Sequence, residues 1–200
     1  MPKFIQWLYP ERIWAFSRSK NSVYLTFDDG PIPEVTPWVL DELKKYDAKA
    51  TFFCIGENVK KHPEIYKRIS SEGHAVGNHT FNHLNGVKTT PSNYIENTIQ
   101  ASALINSKLF RPPYGRIFPK QAKMLQKKGF KIVMWNIISY DYDASISGEK
   151  CLQNVLKHIK PGSVIVFHDS LKAEKNLRYV LPKVLEFILE KGWKTSSIIY

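Results

Sequence analysis

Apolar positions along this chain change period repeatedly, and the changes come in a regular order. Residues 22–27 form a largely apolar run ended by Asp28-Asp29-Gly30-Pro31, and residues 35–46 carry Val39, Leu40 and Leu43 at helical spacing. The pattern predicts a strand, an acidic turn and a helix. The same alternation predicts a strand over 50–55, a helix over 63–72 and a short strand over 73–77 that enters a polar loop. Helices are expected over 92–107 and 120–128, with strands at 108–110 and 131–136. The last third adds a helix over 149–159, a buried strand over 163–167, a helix over 174–191 closed by Gly192, and a strand over 195–199. Strands alternating with helices, with no linker or low-complexity stretch, predict one α/β domain with a mostly parallel sheet, and a barrel is its natural closure.

Composition narrows the partners little. The 200 residues, 43% of them hydrophobic, can fill the core of one domain. Twenty-nine Lys and Arg against eighteen Asp and Glu give a formal charge of +11, which favours anionic partners without choosing one. The lysines are scattered and no nucleic-acid-reading motif occurs, so nucleic acid is not an expected partner and a solvated basic surface is the plainer reading. Cys54 lies in an apolar run far from Cys151, which predicts buried thiols rather than a disulfide. Residues 1–20 stand apart as an aromatic-rich segment. Its apolar members Trp7, Leu8, Tyr9, Ile13, Trp14 and Phe16 are interrupted by Gln6, Pro10, Glu11 and Arg12, too often for a signal sequence or a membrane span. The segment is expected to pack on the domain's own surface, with no transmembrane anchor and a cytoplasmic or peripherally cell-associated setting.

The unusual polar residues fall where such a barrel does its work, at the C-terminal ends of strands. They are Asp28-Asp29, the segment from His79 to His83, Arg111-Pro-Pro-Tyr-Gly115, Asp141 and His168-Asp169. His79 and His83, four apart, share a face if they lie on one turn of helix and can converge on one ion, although two surface histidines fit the spacing as well. A carboxylate from Asp28 or Asp29 would complete a two-histidine, one-carboxylate set that suits Zn2+, with Co2+, Ni2+ or Mn2+ as alternatives. Neighbouring strand side chains leave toward different sides, so the aspartates should divide the labour, one holding metal and one taking a proton from water. Chemistry alone leaves open which does which; a polar turn that only caps the strand is the reading for such a pair in isolation, and the company of the other rim residues disfavours it here.

In the proline-stiffened loop, Arg111 can pair with the basic aspartate and the Tyr114 N–H can meet a developing oxyanion, unless the loop is only a rigid turn with a surface salt bridge. His168 emerges from an apolar strand where a leaving amine needs a proton, and Asp141 can orient it. His62, His74 and His158 lack such company, and Asp169 is expected to be a helix or turn cap.

Taken together, Thr26-Phe-Asp-Asp-Gly-Pro31, His79-Thr-Phe-Asn-His83, Arg111-Pro-Pro-Tyr-Gly115, residues 135–142 and Val164-Ile-Val-Phe-His-Asp169 resemble, in order, the five motifs of the NodB-homology polysaccharide deacetylases. This is carbohydrate esterase family four, which includes chitin and peptidoglycan N-acetylglucosamine deacetylases. The resemblance implies a distorted (β/α) barrel of seven strands, with residues 21–200 as the catalytic domain. It implies Asp28 as general base, Asp29, His79 and His83 as metal ligands, Arg111 orienting Asp28, Tyr114 giving the oxyanion N–H, and Asp141 tuning His168 as general acid. The implied activity is removal of N-acetyl groups from an N-acetylglucosamine glycan. A metal-dependent deacetylase of a non-polymeric or O-acetylated substrate, and a non-catalytic glycan-binding module, are the alternatives. Tyr142 stands where the family usually has tryptophan, and Val166, near the acetyl-methyl pocket, where leucine is common; both keep an apolar wall against substrate.

Overall fold

The computed structural model describes residues 3–199, with side chains from residue 6; Met1, Pro2 and Tyr200, the outer ends of the two expected segments, lie outside the described residues. Its strands are β1 (Ser22–Asp28), β2 (Ala50–Cys54), β3 (Ala75–Asn78), β4 (Leu109–Phe110), β5 (Lys131–Ile132), β6 (Ile137–Ile138), β7 (Val164–His168) and β8 (Lys194–Thr195). The helices are α1 (Lys3–Leu8), α2 (Thr36–Lys45), α3 (Gly56–Lys61), α4 (Pro63–Ser71), α5 (Pro91–Ser102), α6 (Pro119–Lys127), α7 (Gly148–Leu156) and α8 (Glu174–Glu190). Seven strands run parallel in the order β5-β4-β3-β2-β1-β7-β6, curled into an incomplete barrel, and β8 pairs with the first two residues of β1. The expected α/β barrel is therefore present.

Period-two alternation sorts β1 and β7 into two cores. Val23, Leu25 and Phe27 of β1, with Ile165 and Phe167 of β7, face the helices and join Leu40, Leu43, Leu152, Leu181 and Leu185 in the outer core. Tyr24, Val164 and Val166 point inward with Phe53, Phe110, Met134 and Trp135. The inward series of β1 ends at Asp28 and that of β7 at His168, and these two residues are register partners on adjacent strands. A strand buried on both faces explains why 22–27 reads as an apolar run rather than an alternation.

Closure departs from the strand expected over 131–136. The chain pairs with β4 through β5, crosses at Val133–Asn136, and joins the opposite edge by pairing β6 with β7. A straight strand there would run past the gap between the two edges. Ile13 fills that gap: it bridges Val133, donates its N–H to Ile132 O at 2.9 Å and accepts from Met134 N–H at 2.7 Å. Ala15 bridges Ser163, and Arg12 and Trp14 are buried.

Other departures are smaller. Helix α3 was not expected, α5 stops at Ser102 instead of reaching 107, and β8, at Lys194–Thr195, keeps only Thr195 of the strand expected over 195–199. Cys54 and Cys151 are free and buried. Among the described residues no helix is long and apolar enough to cross a membrane.

Candidate active site

Arg111, the first residue after β4, is fully buried, not a partner in a surface salt bridge. Its Nη1 donates to Asp28 Oδ1 and to Thr26 Oγ1, both at 2.7 Å. Nε and Nη2 donate to the carbonyls of Val133 (3.2 Å) and Met134 (3.1 Å), and the guanidinium lies 4.1 Å from the Phe53 ring centroid. Asp28 is 4% exposed. Burial opposes its charge most strongly, but Arg111, then His79 and His168, more than offset that and hold its pKa below the ordinary value. Asp28 is thus an ionised carboxylate at neutral pH with one oxygen tied down.

Asp29 turns away from its neighbour because its backbone leaves the strand at φ 85°. Its Oδ1 lies 3.3 Å from His83 Nε2 and 3.8 Å from His79 Nε2, and one ligand atom from each of the three residues falls within 4.8 Å of the others. His79 Nδ1 is 2.8 Å from the Arg111 carbonyl, so Nδ1 carries the proton and Nε2 presents its lone pair. Burial, the largest influence, pushes the His79 pKa down to about 4 and keeps the ring neutral. Asp29 Oδ1 is buried with no hydrogen-bond partner among the described residues. An orphaned carboxylate oxygen facing imidazole nitrogens is costly by itself and fits a divalent cation.

The two histidines do not share a helical turn, as their spacing had predicted. Residues 79–83 form a loop with Thr80 at φ 65° and His83 at φ 59°, and the rings meet with centroids 5.1 Å apart. Helix α3 holds this loop: the N–H groups of Gly56 and Glu57 donate to the carbonyls of Thr80 (3.0 Å) and Phe81 (2.8 Å). Those groups have no partner within a helix, so the unexpected helix supplies donors where the loop needs them. Asn78 Oδ1 accepts Thr80 N–H at 2.8 Å.

Across the barrel mouth, Asp141 and His168 are joined at 2.8 Å through Oδ1 and Nδ1. Burial works against a charged imidazole, yet Asp141 outweighs it and the His168 pKa rises to about 9. The Tyr142 ring meets His168 edge-on with centroids 4.8 Å apart. Tyr114 is 61% exposed at φ 60°, its ring 4.6 Å from that of His83, and its N–H has no partner among the described residues. Val166, only 1% exposed, packs into the inward-facing core two residues before His168.

The structure thus gathers Asp28, Asp29, His79, His83, Arg111, Tyr114, Asp141, Tyr142 and His168 at one rim. Sequence reading missed Thr26, Asn78 and Asn58, whose polar groups serve the motif residues from inside the fold. It also placed Asp169 as a cap; Asp169 is instead fully buried against Gly30 and Thr36. Thr26 and Asp169 lie within the motifs and Asn78 adjoins one, whereas nothing in the sequence marks Asn58.

The polysaccharide deacetylase family model matches residues 16–133. A peptidoglycan-N-acetylglucosamine deacetylase of Bacillus cereus is 42% identical over 165 residues, covering 78% of this chain but 60% of that relative's length. A chitooligosaccharide deacetylase of Azorhizobium caulinodans is 34% identical over 161 residues, 76% of each protein. Among solved structures, the Bc1960 peptidoglycan N-acetylglucosamine deacetylase superposes with a TM-score of 0.91 at 35% identity, covering 99% of this chain and 95% of that one.

Proposed function

The chain belongs to the polysaccharide deacetylase family, and from that premise we propose that it hydrolyses the N-acetyl amide of N-acetylglucosamine units in a glycan of the peptidoglycan or chitin-oligomer kind. One observation carries the reading. Asp28 and His168, register partners on adjacent strands, have their protonation states pushed in opposite senses, one toward a free carboxylate and one toward imidazolium, beside the Asp29, His79 and His83 cluster. A base and an acid held ready at the same pH are what amide hydrolysis requires.

Asp29, His79 and His83 would hold a divalent ion, which we take to be zinc from the donor set; when bound it supplies Lewis acidity that acidifies water and polarises an acyl oxygen. Asp28 takes the proton of the attacking water, kept ionised by Arg111. As the new C–O bond forms, the Tyr114 N–H donates to the oxygen that gains charge. His168, aligned through Nδ1 by Asp141, gives its Nε2 proton to the sugar nitrogen as the C–N bond breaks, leaving acetate and a free amine. Tyr142 and Tyr114 border the sugar, and Val166 floors the acetyl end. The catalytic unit is residues 21–200, with the preceding segment completing its sheet.

The test is acetate release from N-acetylglucosamine oligomers and from peptidoglycan with zinc added, run beside acetylated xylan, acetylated polyamines and small amides. Release from the glycans is expected. Release from the other substrates alone would replace the glycan amide as substrate, and none from any would overturn the activity.

A further inference from the structure

Asp169 lies at the end of β7 with no part in the chemistry above, yet it is fully buried and, among the described residues, has no Lys, Arg or His as an ion-pair partner. A buried carboxylate without a cation is expensive, and a cap at a strand end needs only serine or asparagine. What it holds accounts for it. Oδ1 accepts the Gly30 N–H at 3.0 Å and Oδ2 accepts the Thr36 hydroxyl at 2.6 Å. Thr36 Oγ1 in turn accepts the Ile32 N–H at 2.8 Å, which commits its own proton to Asp169. The carboxylate therefore grips both ends of the turn that begins immediately after Asp29.

Asp29 itself sits at φ 85°, where a side-chain-bearing residue stays only if its surroundings hold it, at a cost on the order of 1 kcal/mol. Three further bonds share that task. Asn58 Nδ2 donates to Asp29 O at 2.8 Å, Ile55 N–H to Gly30 O at 3.0 Å, and Asp169 N–H to Asp28 O at 3.0 Å. Gly30 needs no left-handed backbone; its side chain is missing because a Cβ there would come within 1.9 Å of Asp169 Oδ2. The glycine of the first motif is thus shaped by the aspartate of the fifth.

We propose that Asp169 is a positioning residue for the metal site: by clamping Gly30 and Thr36 it fixes the backbone that turns the Asp29 carboxylate toward His79 and His83. The inference rests on the metal site of the reading above.

The measurement is zinc affinity of the whole chain by competition with a chromophoric chelator, with thermal unfolding recorded for every variant. Asp169→Ala, which loses both bonds, is expected to bind zinc about 10- to 100-fold more weakly, the usual cost of losing a group that orients a ligand. Asp169→Asn keeps an acceptor for Gly30 and should restore most of that affinity. Wild-type zinc affinity in folded Asp169→Ala would overturn the proposal, and so would equal losses in both variants, since the negative charge and not the clamp would then matter. If Asp169→Ala does not fold, Gly30→Ala replaces it, because the new methyl drives against the same carboxylate; unchanged affinity there overturns the proposal as well. Zinc binding without acetate release from any substrate would defeat the deacetylase reading alone, and release with unaltered affinity in the variants would defeat this inference alone.

Discussion

Asp141 grips His168 twice, with Oδ1 2.8 Å from the ring Nδ1 and Oδ2 accepting the main-chain N–H of the same residue at 2.8 Å. One carboxylate therefore sets the tilt of the imidazole and its charge, although burial alone would lower the pKa. The folded value of about 9 lies above the ordinary 6.5, so the pair stabilises the fold fully below about pH 6.5, and that contribution is lost as pH rises through about 9. Deacetylation should decline at alkaline pH with an apparent pKa near 9, and Asp141→Asn should move that decline toward 6.5. An alkaline limb that stays put in the variant would break the assignment of His168 as the acid.

Asp28 and Asp29 are neighbours with separate surroundings, which makes their roles separable by experiment. Asp28→Asn should reduce turnover by about 100-fold or more while zinc remains bound. His79→Ala should lose the metal itself. Metal analysis of the two purified variants checks this, and equal loss of zinc in both would overturn the division.

Arg111→Met should destabilise the chain by about 3–5 kcal/mol in urea unfolding, because it leaves the Asp28 carboxylate buried without its counter-charge. Asp28 has its pKa depressed on folding, so the stability it contributes exists above its unfolded pKa and disappears as pH falls through the folded value. In the variant the acid limb of the activity profile should therefore move to higher pH. A limb at the wild-type position would show that Arg111 does not govern the charge of Asp28.

Zinc should raise the melting temperature, since the orphaned Asp29 oxygen is satisfied only when a cation is present. At a free concentration one hundred times Kd the gain is about 2.7 kcal/mol. Differential scanning calorimetry should show the shift in the wild type and none in His83→Ala.

Much of this fold is legible in the sequence because its strands are buried on both faces and its motif residues follow strand ends. Residues 22–27 and 163–167 could be placed for that reason, as could the rim position of Asp28, Arg111 and His168. Periodicity failed where geometry depends on something distant. The loop from His79 to His83 takes its shape from two N–H groups of α3, and no local pattern reports them. The stretch over 131–136 is apolar enough to be one strand, but the curl of the sheet decides that it must cross between edges. Asp169 looked like a cap because its partners, Gly30 and Thr36, are 139 and 133 residues away.

Two of the four acceptors around Arg111 are carbonyls of Val133 and Met134, in the segment that spans the gap of the sheet and is fastened there by Ile13. The state of Asp28 is thereby made conditional on the last seam of the barrel. A chain whose first sixteen residues were cut away, or whose seam were loosened by a permuted terminus, could keep α2 to α8 and most of its sheet and still lack a properly charged base. Activity in such variants would serve as a gauge of whether the ring is shut, read more sharply than any measure of secondary structure.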